Sequence, residues 1–194
     1  MQYLEPKKIV LIGASTGGPG QIKKIIQALP SLHHCSIIIA QHMSDGFLES
    51  FVSNLNKDTT NTIKMADSEK ILLENTIYVC EKSITIEQTS NNVYFKKQLH
   101  VANSFNPNIN LIFNSFLQLS QNVEILSVIL TGIGDDGIQA CVKLSENGTR
   151  CITETNQSAI IDGIPSRARE LVTNIEAYDI EEIIKIICEF VSNV

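Results

Sequence analysis

Short, wholly apolar runs alternate along this chain with stretches in which apolar residues recur every three or four positions. KKIVLIG (7–13), SIIIAQH (36–42) and EILSVILTG (124–132) lack the alternation of a half-exposed strand. Each therefore reads as a strand buried on both faces. After the first run, Ile22, Ile25, Ile26 and Leu29 recur at helical spacing, with Lys23, Lys24 and Gln27 opposite. Pro19 suits the first turn of that helix. Phe47, Phe51, Val52 and Leu55 form the next such stripe, started by the polar SDG before it. Ile109, Ile112, Phe113, Phe116 and Leu117 form another, as do Ile138, Cys141, Val142 and Ser145, with Gly148 in the place of a C-terminal cap. NTIKMA, NTIYVC and TRCITET read as further strands, and a last helix runs roughly from Ile180 to Val191. SITIEQ and NVYFKK alternate around TSNN, which predicts a β-hairpin excursion.

Strands that alternate with amphipathic helices predict βαβ units: a three-layer α/β/α fold on a mostly parallel, doubly wound, Rossmann-like sheet. No repeat, low-complexity linker or shift in composition interrupts the 194 residues, so residues 1–194 are expected to form a single domain. At 43% hydrophobic and 19% charged, the chain holds enough apolar material for a large core. A net charge of −6 argues against a general nucleic-acid or anionic-membrane surface. No apolar run approaches the ~20 residues needed to span a bilayer, and the N-terminus carries no signal-peptide pattern. Cys35, Cys80, Cys141, Cys151 and Cys188 are odd in number and contain no C-x-x-C pair, so they are expected to be buried, reduced thiols of a cytoplasmic protein. Neither a metal nor a cofactor is expected.

In a parallel sheet, functional groups lie beyond the carboxyl ends of the strands. Three such ends are rich in polar residues. The first strand delivers Ala14, Ser15 and Thr16, the second delivers His42, and EILSVILTG leads to Asp135 and Asp136. A hydroxyl, an imidazole and a carboxylate are thereby expected at one edge. Residues 13–17 fit G-x-S-x-G between a strand and a helix, the setting of a nucleophile elbow. The backbone N–H groups of Thr16 and Gly17 would then face a developing negative charge, with a second contribution from the Gly132-Ile133-Gly134 loop. Two other readings of the glycine-rich run are a phosphate cradle and a plain tight turn. The dinucleotide reading is weakened by the glycine spacing and by Ala40-Gln41-His42, which ends the second strand without a carboxylate. A lone histidine after a strand is commonly structural; its place beside the Ser15 loop makes His42 a candidate general base. His33, His34 and His100 lie in polar stretches and carry no such suggestion. An aspartate at a strand-to-helix junction is commonly a helix cap, and spacing does not choose between Asp135 and Asp136. Asp162, in IIDGIP, reads as a turn residue.

IGASTGG, IIIAQHM, VILTGIGDDG and GIP together resemble the catalytic domain of the chemotaxis receptor methylesterases, the CheB family. The resemblance runs from Lys8 to about Ile187 and is strongest at the three strand ends. It implies a serine hydrolase whose triad falls on Ser15, His42 and Asp136, with Asp135 at a variable position. Thr16, Gly17 and Ile133 would support the transition state. The implied reaction is demethylation of glutamate γ-methyl esters on the cytoplasmic helices of methyl-accepting chemoreceptors, releasing methanol without any cofactor. Some members also deamidate receptor glutamines. Two alternatives are a non-catalytic module that docks on receptors and a Rossmann-like nucleotide-binding protein.

The match has departures. Ile133 stands where members commonly carry methionine, and YVCEKS and SFNPNI replace familiar turn segments. Typical members also carry an N-terminal phosphorylation-receiver domain. Here only seven residues precede the strand opening at Lys8, so activity of this chain is expected to be independent of a phosphodonor.

Overall fold

A computed structural model describes residues 5–44, 46–89, 92–98 and 105–193. The expectations for His100, for the TSNN turn at Ser90 and Asn91 and for Asp45 of SDG lie outside the described residues.

The three apolar runs form β1 (Lys8–Ala14), β2 (Cys35–Gln41) and β7 (Glu124–Ile129), adjacent strands at the centre of the sheet. All seven residues of β2 are buried, as expected of a strand covered by helices on both faces. The remaining strands are β3 (Thr62–Ala66), β4 (Thr76–Cys80), β8 (Arg150–Glu154) and β9 (Glu176–Tyr178). The seven-stranded order is β3-β4-β2-β1-β7-β8-β9, and every pairing is parallel. The chain leaves β1 towards β2 and returns to the other side of β1 with β7. The direction in which the chain adds strands reverses there, the position at which functional groups gather in open parallel sheets.

Side chains alternate along β1. Val10 and Ile12 pack under α1 (Gly18–Ala28), α2 (Leu48–Leu55) and α6 (Ile180–Ser192). Ile9 and Leu11 face the opposite layer of α3 (Ile109–Ser115), α4 (Ile138–Glu146) and α5 (Ile164–Leu171). The expected hairpin is β5 (Ile84–Gln88) paired antiparallel with β6 (Val93–Lys97). Its Ile84, Val93 and Phe95 join the α3 side of the core beside Phe113. The three-layer, doubly wound expectation is thus met.

Three local features differ from the sequence pattern. Phe47 is 66% exposed; α2 starts at Leu48 and buries Leu48, Val52 and Leu55 instead. The α5 helix was not legible because its IPSRAREL stretch buries only Ile164, Pro165 and Ala168, too few for a stripe. The β9 strand is three residues on the sheet edge, with no fully buried member.

Cys35, Cys80, Cys141 and Cys151 are buried, and Cys188 is half-buried. Burial pushes the thiols of Cys35 and Cys80 up to about 12, because desolvation disfavours the thiolate. At pH 8 the native protein should therefore give Ellman's reagent no more than one rapidly reacting thiol, from Cys188, and all five once denatured. Two or more rapid thiols in the native state would contradict this packing.

Candidate active site

Ser15 and His42 each follow the last paired residue of their strands, since Ala14 pairs with Gln41 in the β1–β2 register. Backbone bonds carry the ladder one step further. His42 N–H donates to Ala14 O at 2.9 Å, and Ser15 N–H donates to Thr131 O at 3.0 Å. The loop after β7 crosses so close to the serine that a side chain at Gly132 would place its Cβ 2.5 Å from Ser15 Cβ, so only glycine fits there.

The structure brings Ser15, His42 and Asp136 together in series. Ser15 Oγ lies 3.2 Å from His42 Nδ1, and His42 Nε2 lies 2.8 Å from Asp136 Oδ2. The Asp136 side chain is 1% exposed, and that of His42 is 13% exposed. A buried carboxylate needs donors on its lone pairs. Here Oδ2 also accepts from Ile109 N–H at 2.7 Å, and Oδ1 accepts from Asn110 N–H at 2.9 Å. These are first-turn amides of α3, which a helix leaves unpaired. The third, Leu111 N–H, is capped by the Asn108 side chain, and Ile112 N–H makes the first intrahelical bond, to Asn108 O. Asp136 thus both caps α3 and holds His42. An ionised aspartate only accepts, so Nε2 carries the imidazole proton and Nδ1 presents its lone pair to the Ser15 hydroxyl. The ring nitrogens serve in the opposite sense to the chymotrypsin arrangement, where serine meets Nε2.

Phe105 stacks on the imidazole, with ring centroids 4.9 Å apart and planes 8° from parallel. A polar brace lies on the other side of Ser15. The fully buried Glu154 accepts from Thr131 N–H at 2.7 Å, from Gln21 Nε2 at 2.8 Å and from Ser158 Oγ at 2.9 Å. Thr131 Oγ1 in turn donates to Thr16 O at 2.9 Å. Among the described residues, the N–H groups of Thr16, Gly17 and Ile133 donate no hydrogen bond. Gly17 is the N-cap of α1, and Ile133 is 63% exposed.

The other candidates fall elsewhere. Asp135 is exposed beside the buried Asp136, and it is Asp136 whose carboxylate bonds His42. Asp162 forms a two-pronged ion pair with Arg169 at 2.8 and 2.6 Å, a tighter role than a simple turn. His34 pairs with Glu74 at 2.8 Å, and His33 is exposed. Among the described residues, no three His, Cys, Asp or Glu side chains gather as a metal cluster. Sequence patterns did not point to the α3 amides, Phe105 or the Glu154 brace. Each acts across a long sequence separation, and none sits in a recognisable local motif.

The sheet and the Ser–His–Asp series define a parallel α/β protein with a hydrogen-bonded polar relay at its strand ends. The chain belongs to the CheB methylesterase family, whose family model matches residues 10–187. A protein-glutamate methylesterase/protein-glutamine glutaminase of Carboxydothermus hydrogenoformans is 32% identical over 169 residues, covering 84% of this chain and 48% of that protein. The Pectobacterium atrosepticum protein of the same description is 28% identical over 186 residues, covering 94% of this chain and 53% of that protein. The chain therefore spans about half the length of these curated relatives. The crystal structure of the Thermotoga maritima CheB methylesterase catalytic domain superposes with a TM-score of 0.85 at 25% identity, covering 94% of this chain and 97% of that one.

The inferred tautomer is directly measurable. At pH 8, nitrogen-15 NMR of His42 should show Nε2 protonated and Nδ1 unprotonated. A protonated Nδ1 would contradict the carboxylate contact as the determinant of the tautomer.

Proposed function

We propose that this chain hydrolyses the γ-methyl esters of glutamate side chains on the cytoplasmic helices of chemoreceptors, acting from the cytoplasm with Ser15 as nucleophile, His42 as base and Asp136 as the orienting carboxylate. The observation that carries the reading is the unbroken series Asp136–His42–Ser15, held by buried and part-buried hydrogen bonds at the ends of β1, β2 and β7. The names of the similar proteins supply the ester and amide substrate classes. Among the described residues, no helix is long and apolar enough to cross a membrane.

His42 Nδ1 takes the Ser15 proton as Oγ attacks the ester carbonyl. The imidazolium that forms keeps its Nε2–H on Asp136, which stabilises the positive charge. The carbonyl oxygen becomes an oxyanion facing the unengaged N–H groups of Thr16, Gly17 and Ile133. Collapse of the tetrahedral intermediate breaks the bond to methoxide, which takes the proton back from His42 and leaves as methanol. Water, deprotonated by the same nitrogen, then attacks the Ser15 ester. The glutamate carboxylate is released and the serine regains its proton. A glutamine amide follows the same steps with ammonia as the leaving group.

Ser15→Ala should lower methanol release from methylated receptor membranes by about 10⁴-fold or more without loss of fold. A variant retaining a tenth of the activity would refute the assigned nucleophile.

Asp136→Asn should cost roughly 10³- to 10⁴-fold in turnover, since the amide cannot hold Nε2–H while also accepting from both α3 amides. Asp135→Asn, altering an exposed side chain, should cost far less. Equal losses, or the reverse ranking, would overturn the choice of carboxylate.

A further inference from the structure

Gln41 is the last residue of β2 and is 1% exposed, an unusual site for a primary amide. Its Nε2 donates to Ser15 O at 2.8 Å and to His42 O at 2.8 Å. Both amide hydrogens are thereby used, one on the backbone of each of two reacting residues. The orientation of the amide is fixed by this, because the oxygen end cannot donate. The cost falls on that oxygen: Gln41 Oε1 is buried with no hydrogen-bond partner, the single such side-chain atom among the described residues. An orphaned buried acceptor is unfavourable, and an apolar side chain of the same shape would avoid it. The fold also accommodates the oxygen at close quarters. A Cβ at Gly18 would lie 2.0 Å from Gln41 Oε1, so the residue that opens α1 must lack a side chain for the amide to fit.

Packing alone explains none of this. Gln41 spans the gap between the β1 and β2 loops just where their strand pairing ends, at Ala14 and Gln41. Beyond that point the one further backbone bond between the two loops among the described residues is His42 N–H to Ala14 O, and the Ser15–His42 separation of 3.2 Å depends on the two backbones keeping station. We infer that Gln41 is a positioning residue for the reaction: its amide clamps the Ser15 and His42 backbones together, and Gly18 provides the room for it. It touches neither substrate nor reacting atoms. The inference rests on Ser15 and His42 acting as nucleophile and base.

The test uses p-nitrophenyl acetate, an activated ester that probes the Ser15–His42 pair without any receptor. Gln41→Met keeps the length and volume of the side chain but donates no hydrogen bond. It should lower kcat roughly 10- to 100-fold, the scale of an ångström-sized misplacement, with KM unchanged and a melting temperature no lower than wild type. Gly18→Ala, which forces the amide out of place while leaving Gln41 present, should lower kcat in the same way, and either folded variant decides the question. A kcat within twofold of wild type in a folded variant would overturn the clamp. So would a loss that merely follows a lowered melting temperature, since that is the mark of a structural role. Ser15→Ala serves as the control. If it retains turnover, the nucleophile reading fails; if it is inactive while Gln41→Met is fully active, the clamp alone fails.

Discussion

The buried carboxylate of Asp136 is the constraint around which the site is organised. A charge 1% exposed to water must be met by donors, and among the described residues three converge on it: His42 Nε2–H and the first two amides of α3. Among the described residues, no lysine or arginine pairs with it. The helix amides offer fixed partial positive charge without a flexible side chain, so the carboxylate stays in place and remains an acceptor for the imidazole. Satisfying one buried group therefore sets the start of α3, the tautomer of His42 and the direction in which its free nitrogen points. Asn110 extends the tie, because its side-chain oxygen accepts from Ala140 N–H and locks α3 against α4.

Around this anchor the molecule divides its labour between a rigid sheet and three short loops. Ser15 is held through Thr131 on one side and Gln41 on the other, and Thr131 is itself held by the fully buried Glu154. Phe105 covers one face of the imidazole. Ile133 and Ile160, in the loops that follow Gly132 and precede α5, are exposed apolar side chains. Under the proposed reaction, a serine held this way would need little reorganisation to attack, which is how a preorganised site lowers a barrier.

Much of this was legible in the sequence, and the reasons are physical. Strands buried on both faces must be continuously apolar, so the central strands announce themselves, and the polar residues that end them mark the functional edge. The hairpin was legible from its alternation. The choice between Asp135 and Asp136 was not legible from spacing and came from family resemblance; the structural difference is burial and the reach to Ile109 and Asn110. Those contacts join segments more than twenty residues apart, and no local pattern encodes them. Phe47 misled because an aromatic next to a helical stripe need not belong to it, and α5 was missed because it packs with only three buried residues.

In the proposed reaction Ser15, activated through His42 and Asp136, carries the acyl group between two half-reactions. Rapid quenching of the protein with p-nitrophenyl acetate, followed by peptide mass spectrometry, tests it most directly. An acetyl group is expected on Ser15, absent in Ser15→Ala and sharply reduced in His42→Ala. Turnover with no acetyl-enzyme, or with the acetyl group on another residue, would contradict it.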